Sequence, residues 1–199
     1  MNYKSFAKRI IQLREADLEF RDHLIRKGQL GNGYHTGMEE LHNKNAAILG
    51  EIISAIGYPT TDKVGTEASE AAWLVIQHSI GRPEFMKDCA VLLKDEVDHG
   101  KADPKNWAYL SDRIAVLQEK PQLYGTQFDW NENGELSPNA FDSLMQVNER
   151  RRSIGLNTLE EQIELIRKRV KKENQLPPKD FDERKKEMNE WRKKVGWIK

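Results

Sequence analysis

Between residues 3 and 117, apolar side chains recur at three- and four-residue spacing in successive stretches, and the stretches are separated by glycine or proline. Helices cut to such lengths can hide their apolar stripes only by packing, so the sequence predicts a mainly helical domain. The first helix is expected from Tyr3 to about Ile25, with Phe6, Ile10, Leu13 and Leu18 as its stripe and Gly28, Gly31 and Gly33 breaking it. A second is expected from about Thr36 to Ile56, ended by Gly57 with Pro59 beyond. Thr66 is positioned to cap a third, through Ile80, whose inward face of Ala68, Ala71, Ala72, Val75 and His78 calls for a close helix crossing. Pro83 opens a fourth that Gly100 ends, and Asp103 before Pro104 caps a fifth carrying Trp107, Leu110, Ile114 and Leu117.

After Pro121 the period changes to two. Gln122, Tyr124, Thr126 and Phe128 would share one strand face, and Asn133-Gly134 is a turn signal before Leu136, so one small β-hairpin is expected near residues 122–137. Leu159, Ile163, Ile166 and Val170 mark a surface helix. Leu176-Pro177-Pro178 breaks the chain before a last amphipathic helix with Phe181, Met188 and Trp191, leading to Trp197. The expected organisation is one helical domain over residues 1–157 with a peripheral, charged helical tail over 158–199. That tail has three readings: docked on the body, paired with another subunit, or mobile. Oligomeric state stays open.

The chain has 199 residues, with 32 Lys and Arg against 32 Asp and Glu, which offers no electrostatic case for nucleic acid or an anionic membrane. Residues 159–199 carry a small excess, 13 basic against 9 acidic groups. The opening residues are charged every few positions, so neither a leader nor a membrane span is expected, and the cytoplasm is the default location. The single cysteine, Cys89, excludes an internal disulfide and sits among Phe85, Met86, Leu92 and Leu93 as a small core residue.

His35, Glu39 and His42 fall at i, i+4 and i+7 of the second helix, within about 60° of one another, on a face that continues into Ala46, Leu49 and Ile53. Polar groups that point inward need partners or a task. Together with His78 from the third helix they could bind a divalent metal such as Zn, Mn or Fe, because facing helices hold imidazole and carboxylate ligands rigidly. A metal-free version uses one His as general base with Glu39 orienting it. The plain alternative is a hydrogen-bonded polar core.

Other constellations carry less. Glu39-x-x-His42 is matched by Glu96-x-x-His99, the pairing of di-iron bundles, but His99 stands at a helix end. Asp129, Asn131, Asn133, Gly134 and Glu135 imitate the start of a calcium loop, yet its twelfth position is Ala140, and a hairpin turn explains the same residues. Asp112, Arg113, Gln122, Tyr124, Thr126 and Gln127 are polar groups able to position a carboxylate or phosphate, or to fix the hairpin to the helices. No Walker loop, dinucleotide fingerprint, CxxC pair or GxSxG elbow occurs.

The segments GYHTGMEELHNKNAAILGEIISAIGYPT, VGTEASEAAWLVIQHSIGRPEF and AYLSDRIAVLQEKPQLYGTQFDWNENGELSP resemble an uncharacterised bacterial family known as domain of unknown function 6624, over roughly residues 33 to 165. The resemblance implies that Tyr34, His35, Glu39, His42, Asn45, Gln77, His78, Asp112, Arg113, Gln122, Tyr124, Gly125, Thr126 and Gln127 stand at the family's characteristic positions. It brings no activity. Tyr58 stands where the family commonly has Trp, and the basic tail after Lys171 looks longer.

Two functional readings follow. One is a small enzyme doing metal-assisted or His/Glu acid-base chemistry, hydrolytic in type, on a small polar molecule. His35, Glu39, His42 and His78 would be its catalytic or metal-ligating groups, and Tyr34, Asp112, Arg113, Gln122, Tyr124, Thr126 and Gln127 would bind substrate. The other is a non-catalytic ligand-binding or immunity-type interaction module.

Overall fold

The computed structural model describes residues 2–29 and 34–199, and is mainly helical with one two-stranded hairpin. Gly31 and Gly33, expected to break the first helix, lie outside the described residues. The chain divides into two compact units, Met1–Asp103 and Pro104–Lys199. The boundary expected at 157/158 falls within the second of these, between two of its helices.

The first unit holds α1 (Tyr3–Arg26), α2 (Thr36–Ile56), the single turn α3 (Thr61–Val64), α4 (Thr66–His78) and α5 (Pro83–Asp98). Helix α1 packs against both α2 and α4. Ala68, Ala71 and Ala72 on α4 are all at or below 1 % exposure, the close crossing that their small size permits. The buried positions of α1 are Ile10, Leu13, Asp17 and Leu24, whereas Leu18 is 42 % exposed. The inward stripe of α1 is therefore rotated from the expected one, and a carboxylate occupies one of its positions. Gly57 ends α2 at φ +73, and Gly65, not Thr66, is the N-cap of α4.

The second unit holds α6 (Pro104–Leu117), β1 (Phe128–Trp130), β2 (Leu136–Pro138), α7 (Leu144–Ser153), α8 (Leu159–Lys172) and α9 (Phe181–Val195). Thr158 and Glu161 close a capping box at the start of α8, which packs on β2 and α7. Helix α9 is tied within its own unit: Arg184 pairs with Asp129 at 2.9 Å, Arg192 with Glu119 at 3.3 Å, and Trp197 is buried. Of the three readings of the tail, docking is the one observed. Helix α7 was not foreshadowed by periodicity; it has only Val147 and Arg151 buried, so no apolar stripe announces it.

The hairpin is shorter and later than expected. Its register pairs Phe128 with Pro138 and Trp130 with Leu136. Residues 122–126 form no strand, apart from an isolated bridge between Gln122 and Phe141. The backbone N–H groups of Leu123, Tyr124 and Thr126 are committed to a side chain of α6 instead, as described below, and that of Gln122 to the carbonyl of Ala140. The calcium-like motif is the turn: Asn131 Oδ1 accepts from the N–H of Asn133 and Glu135, Asp129 is paired with Arg184, and Glu135 with Arg167 at 2.8 Å.

Candidate functional site

Three helices of the first unit aim one polar side chain each at a common point. Asp17 of α1 is fully buried, and its two oxygens are divided between two imidazoles. Oδ1 lies 3.1 Å from Nε2 of His42 on α2, and Oδ2 lies 2.6 Å from Nδ1 of His78, the last residue of α4. The two rings stand 5.1 Å apart between centroids. Tyr34 completes the group, its hydroxyl 2.6 Å from Nδ1 of His42. Asn45, one turn along α2 from His42, donates to the carbonyl of Leu13 at 3.1 Å and so ties α2 to α1 beside the cluster.

Hydrogen-bond counting assigns the protons once both rings are taken as neutral. Burial by itself raises the Asp17 carboxyl. Hydrogen bonds from His42 and His78, reinforced by attraction to both rings, outweigh it and hold the group well below the ordinary value of 3.8. Asp17 is therefore an anion that can only accept. Burial pushes the Tyr34 hydroxyl well above its ordinary value, and the charges of Glu39 and Asp17 push in the same direction, so it keeps its proton. With neutral rings, one assignment satisfies every contact. Tyr34 donates to Nδ1 of His42, Nε2–H of His42 donates to Oδ1, and Nδ1–H of His78 donates to Oδ2. The lone pair left over belongs to Nε2 of His78. His78 is also the accessible member: its side chain is 29 % exposed, against 7 % for His42 and 1 % for Asp17.

His42 and His78 thus meet as expected, but their carboxylate is Asp17, where Glu39 was anticipated. Among the described residues, Asp17, His42 and His78 are the one group of three or more His, Cys, Asp or Glu side chains with metal-ligand spacing. Glu39 is half-buried and acts on Tyr34 through its charge. His35 is the N-cap of α2: its Nδ1 accepts from the N–H of Gly37 at 3.1 Å, and its ring sits edge-on to Phe20. A capping imidazole at i lies outside the helical face that its spacing to Glu39 and His42 suggested. The di-iron pattern does not assemble, because Glu96 pairs with Lys63 and His99 is an exposed C-cap bonded to the Asp95 carbonyl.

The polar residues of the second unit form a different construction. Asp112, fully buried on α6, accepts from the backbone N–H groups of Leu123, Tyr124 and Thr126 and from the Thr126 hydroxyl, at 2.8–3.2 Å. Burial raises this carboxyl, and the same four donors work against that rise. Gln122 spends its amide on the carbonyls of Gln127 and Asn139 and accepts from the N–H of Gln127. Both side chains are occupied in shaping the 122–127 segment. On its outer side, Arg113 donates to Gln127 Oε1 at 3.3 Å, and the Tyr124 ring lies edge-on to Trp107. Gly125 takes φ +63, and a Cβ there would lie 2.8 Å from Leu159 Cδ1.

Two buried ionisable groups escaped the sequence reading. Asp17 is in phase with Ile10, Leu13 and Leu24, so an acid on the apolar stripe of α1 was the available signal. Arg151, one turn beyond the buried Val147, is 2 % exposed and holds the carbonyls of Tyr124 and Asn157.

Residues 5–172 match a family of unknown function, DUF6624. The chain belongs to that family. No curated protein and no solved structure matches it.

Proposed function

We propose that the protein is an acid-base enzyme, hydrolytic in type, in which His78 is the proton acceptor. The observation that carries this reading is the division of the Asp17 carboxylate between two imidazoles, which leaves Nε2 of His78 as the one unspent lone pair. A water bound at Nε2 would lose its proton there as its oxygen adds to an electrophilic carbon. Asp17, 2.6 Å from Nδ1, would stabilise the imidazolium formed, which then returns the proton to the leaving group. His42 and Tyr34 contribute by holding Asp17 in place and by saturating its other oxygen. The substrate in this reading is a small polar molecule.

A cytoplasmic setting belongs to the same proposal. Its support is compositional: no helix among the described residues is long and apolar enough to cross a membrane, and Cys89, buried and pushed up to about 12 by that burial, is an inert thiol.

The test is a panel of small polar esters, lactones and amides. Turnover on any member should fall by about 100- to 10,000-fold in His78→Gln and Asp17→Asn, the usual contribution of a positioned base, and stay unchanged in His99→Gln. Equal turnover in folded His78→Gln and wild type overturns the proposal.

A further inference from the structure

The geometry points to a second occupant of the same cluster: we propose that Asp17, His42 and His78 bind a divalent transition-metal ion of the zinc class, and that its binding silences the proton relay. The silencing rests on the acid-base reading above. The binding does not.

The donor set consists of two imidazole nitrogens and one carboxylate oxygen, all within 4.8 Å of one another and each carried by a different helix. Two nitrogens and a single oxygen favour borderline ions such as zinc over magnesium or calcium, which want oxygen throughout. A tetrahedral shell with bonds of about 2.0–2.1 Å sets its ligand atoms about 3.4 Å apart. The 2.6 Å contact between His78 and Asp17 must therefore open slightly, and the widest pair must close by no more than about 1.4 Å. Three protein ligands leave a fourth position for water.

Charge and hydrogen bonding are arranged to accept the ion. Asp17 is a buried carboxylate whose two oxygens already face the two rings. Ligating Nε2 of His42 transfers that ring's proton to Nδ1, where the Tyr34 oxygen, at 2.6 Å, can accept it by turning its own hydrogen away. Ligating Nδ1 of His78 likewise moves its proton to Nε2. That nitrogen becomes a donor and ceases to be a base, so occupancy and proton acceptance exclude each other. His35 and His99 are spent on a helix cap and on a backbone carbonyl, and neither competes for the ion.

The experiment uses the full chain, freed of metal by chelation, titrated with zinc by calorimetry and with cobalt by visible absorption. One ion per chain is expected. His42→Gln and His78→Gln should each weaken binding by about 100-fold or more, and Tyr34→Phe by about 10-fold, with His99→Gln unchanged. His78 is half-exposed, so His78→Gln keeps the test sound if His42→Gln fails to fold. In wild type, 15N spectra should show zinc arriving at Nε2 of His42 and Nδ1 of His78. Absence of saturable binding, or binding that survives His78→Gln intact, overturns the ion site and leaves the acid-base proposal standing. Stoichiometric zinc should abolish turnover; binding with turnover unchanged or raised overturns the silencing and, with it, the role given to Nε2.

Discussion

Asp17 on α1 and His78 at the end of α4 are joined at 2.6 Å although 61 residues separate them, and only one of the two is accessible to solvent. A fully buried carboxylate that orients a half-exposed imidazole makes the reactivity of one depend on the placement of the other. Replacing Asp17 by Asn removes the charge and sets an amide N–H against a ring N–H. A loss of about 2–4 kcal/mol in unfolding free energy is expected, the range for breaking buried charge-assisted contacts, measured by urea denaturation.

Acid should erase part of that difference. The folded-state value of Asp17 is depressed below 3.8, so its contribution is fully present above that pH and is lost as the pH falls toward the folded value. Below about pH 4 the stability gap between wild type and Asp17→Asn should therefore narrow. A gap that widens below that pH would contradict the assigned ionisation.

Tyr34→Phe leaves Nδ1 of His42 without its donor while keeping the ring. The expected cost is about 1 kcal/mol, and the His42 tautomer should stay Nε2–H, held by the Asp17 carboxylate, read from 15N chemical shifts.

His35→Ala tests the assignment of His35 to the helix terminus. Loss of an N-cap acceptor should cost about 1 kcal/mol in thermal or urea unfolding. Zinc affinity should not change, since the ring bonds the N–H of Gly37 and stands apart from the cluster.

Asp112→Ala would strand three half-buried backbone N–H groups at once. At about 1–3 kcal/mol for each unsatisfied donor, the segment should open locally, seen as loss of hydrogen-exchange protection at Leu123, Tyr124 and Thr126. Amides of the first unit should keep their protection. Gly125→Ala should destabilise the same unit through its left-handed backbone and the contact with Leu159, by about 2 kcal/mol or more.

The helices were legible in the sequence because glycine and proline mark many of their ends: Gly57 follows Ile56, Pro83 and Pro104 open their helices, and Gly100 stands two residues beyond Asp98. Period two misled at residues 122–126: Gly125 is buried between the half-buried Tyr124 and Thr126, and three backbone N–H groups of the stretch bond to Asp112 and not to a neighbouring strand. In the cluster, His42 and His78 were legible because imidazoles stood at inward helical positions. Asp17 was not, because the phase of α1 was set by Leu18, which the structure leaves exposed. His35 shared the spacing of His42 and Glu39 but not their role, as a helix changes its hydrogen-bonding rules at its first turn.

The Asp112 carboxylate grips residues 123–126 mainly through peptide nitrogens, which every amino acid except proline possesses. Leu123, which is 42 % exposed, is therefore held in position without being specified by what holds it. It can be exchanged for other residues with the loop's path preserved, which makes this point a ready place for the protein to acquire new surface chemistry on an unchanged frame.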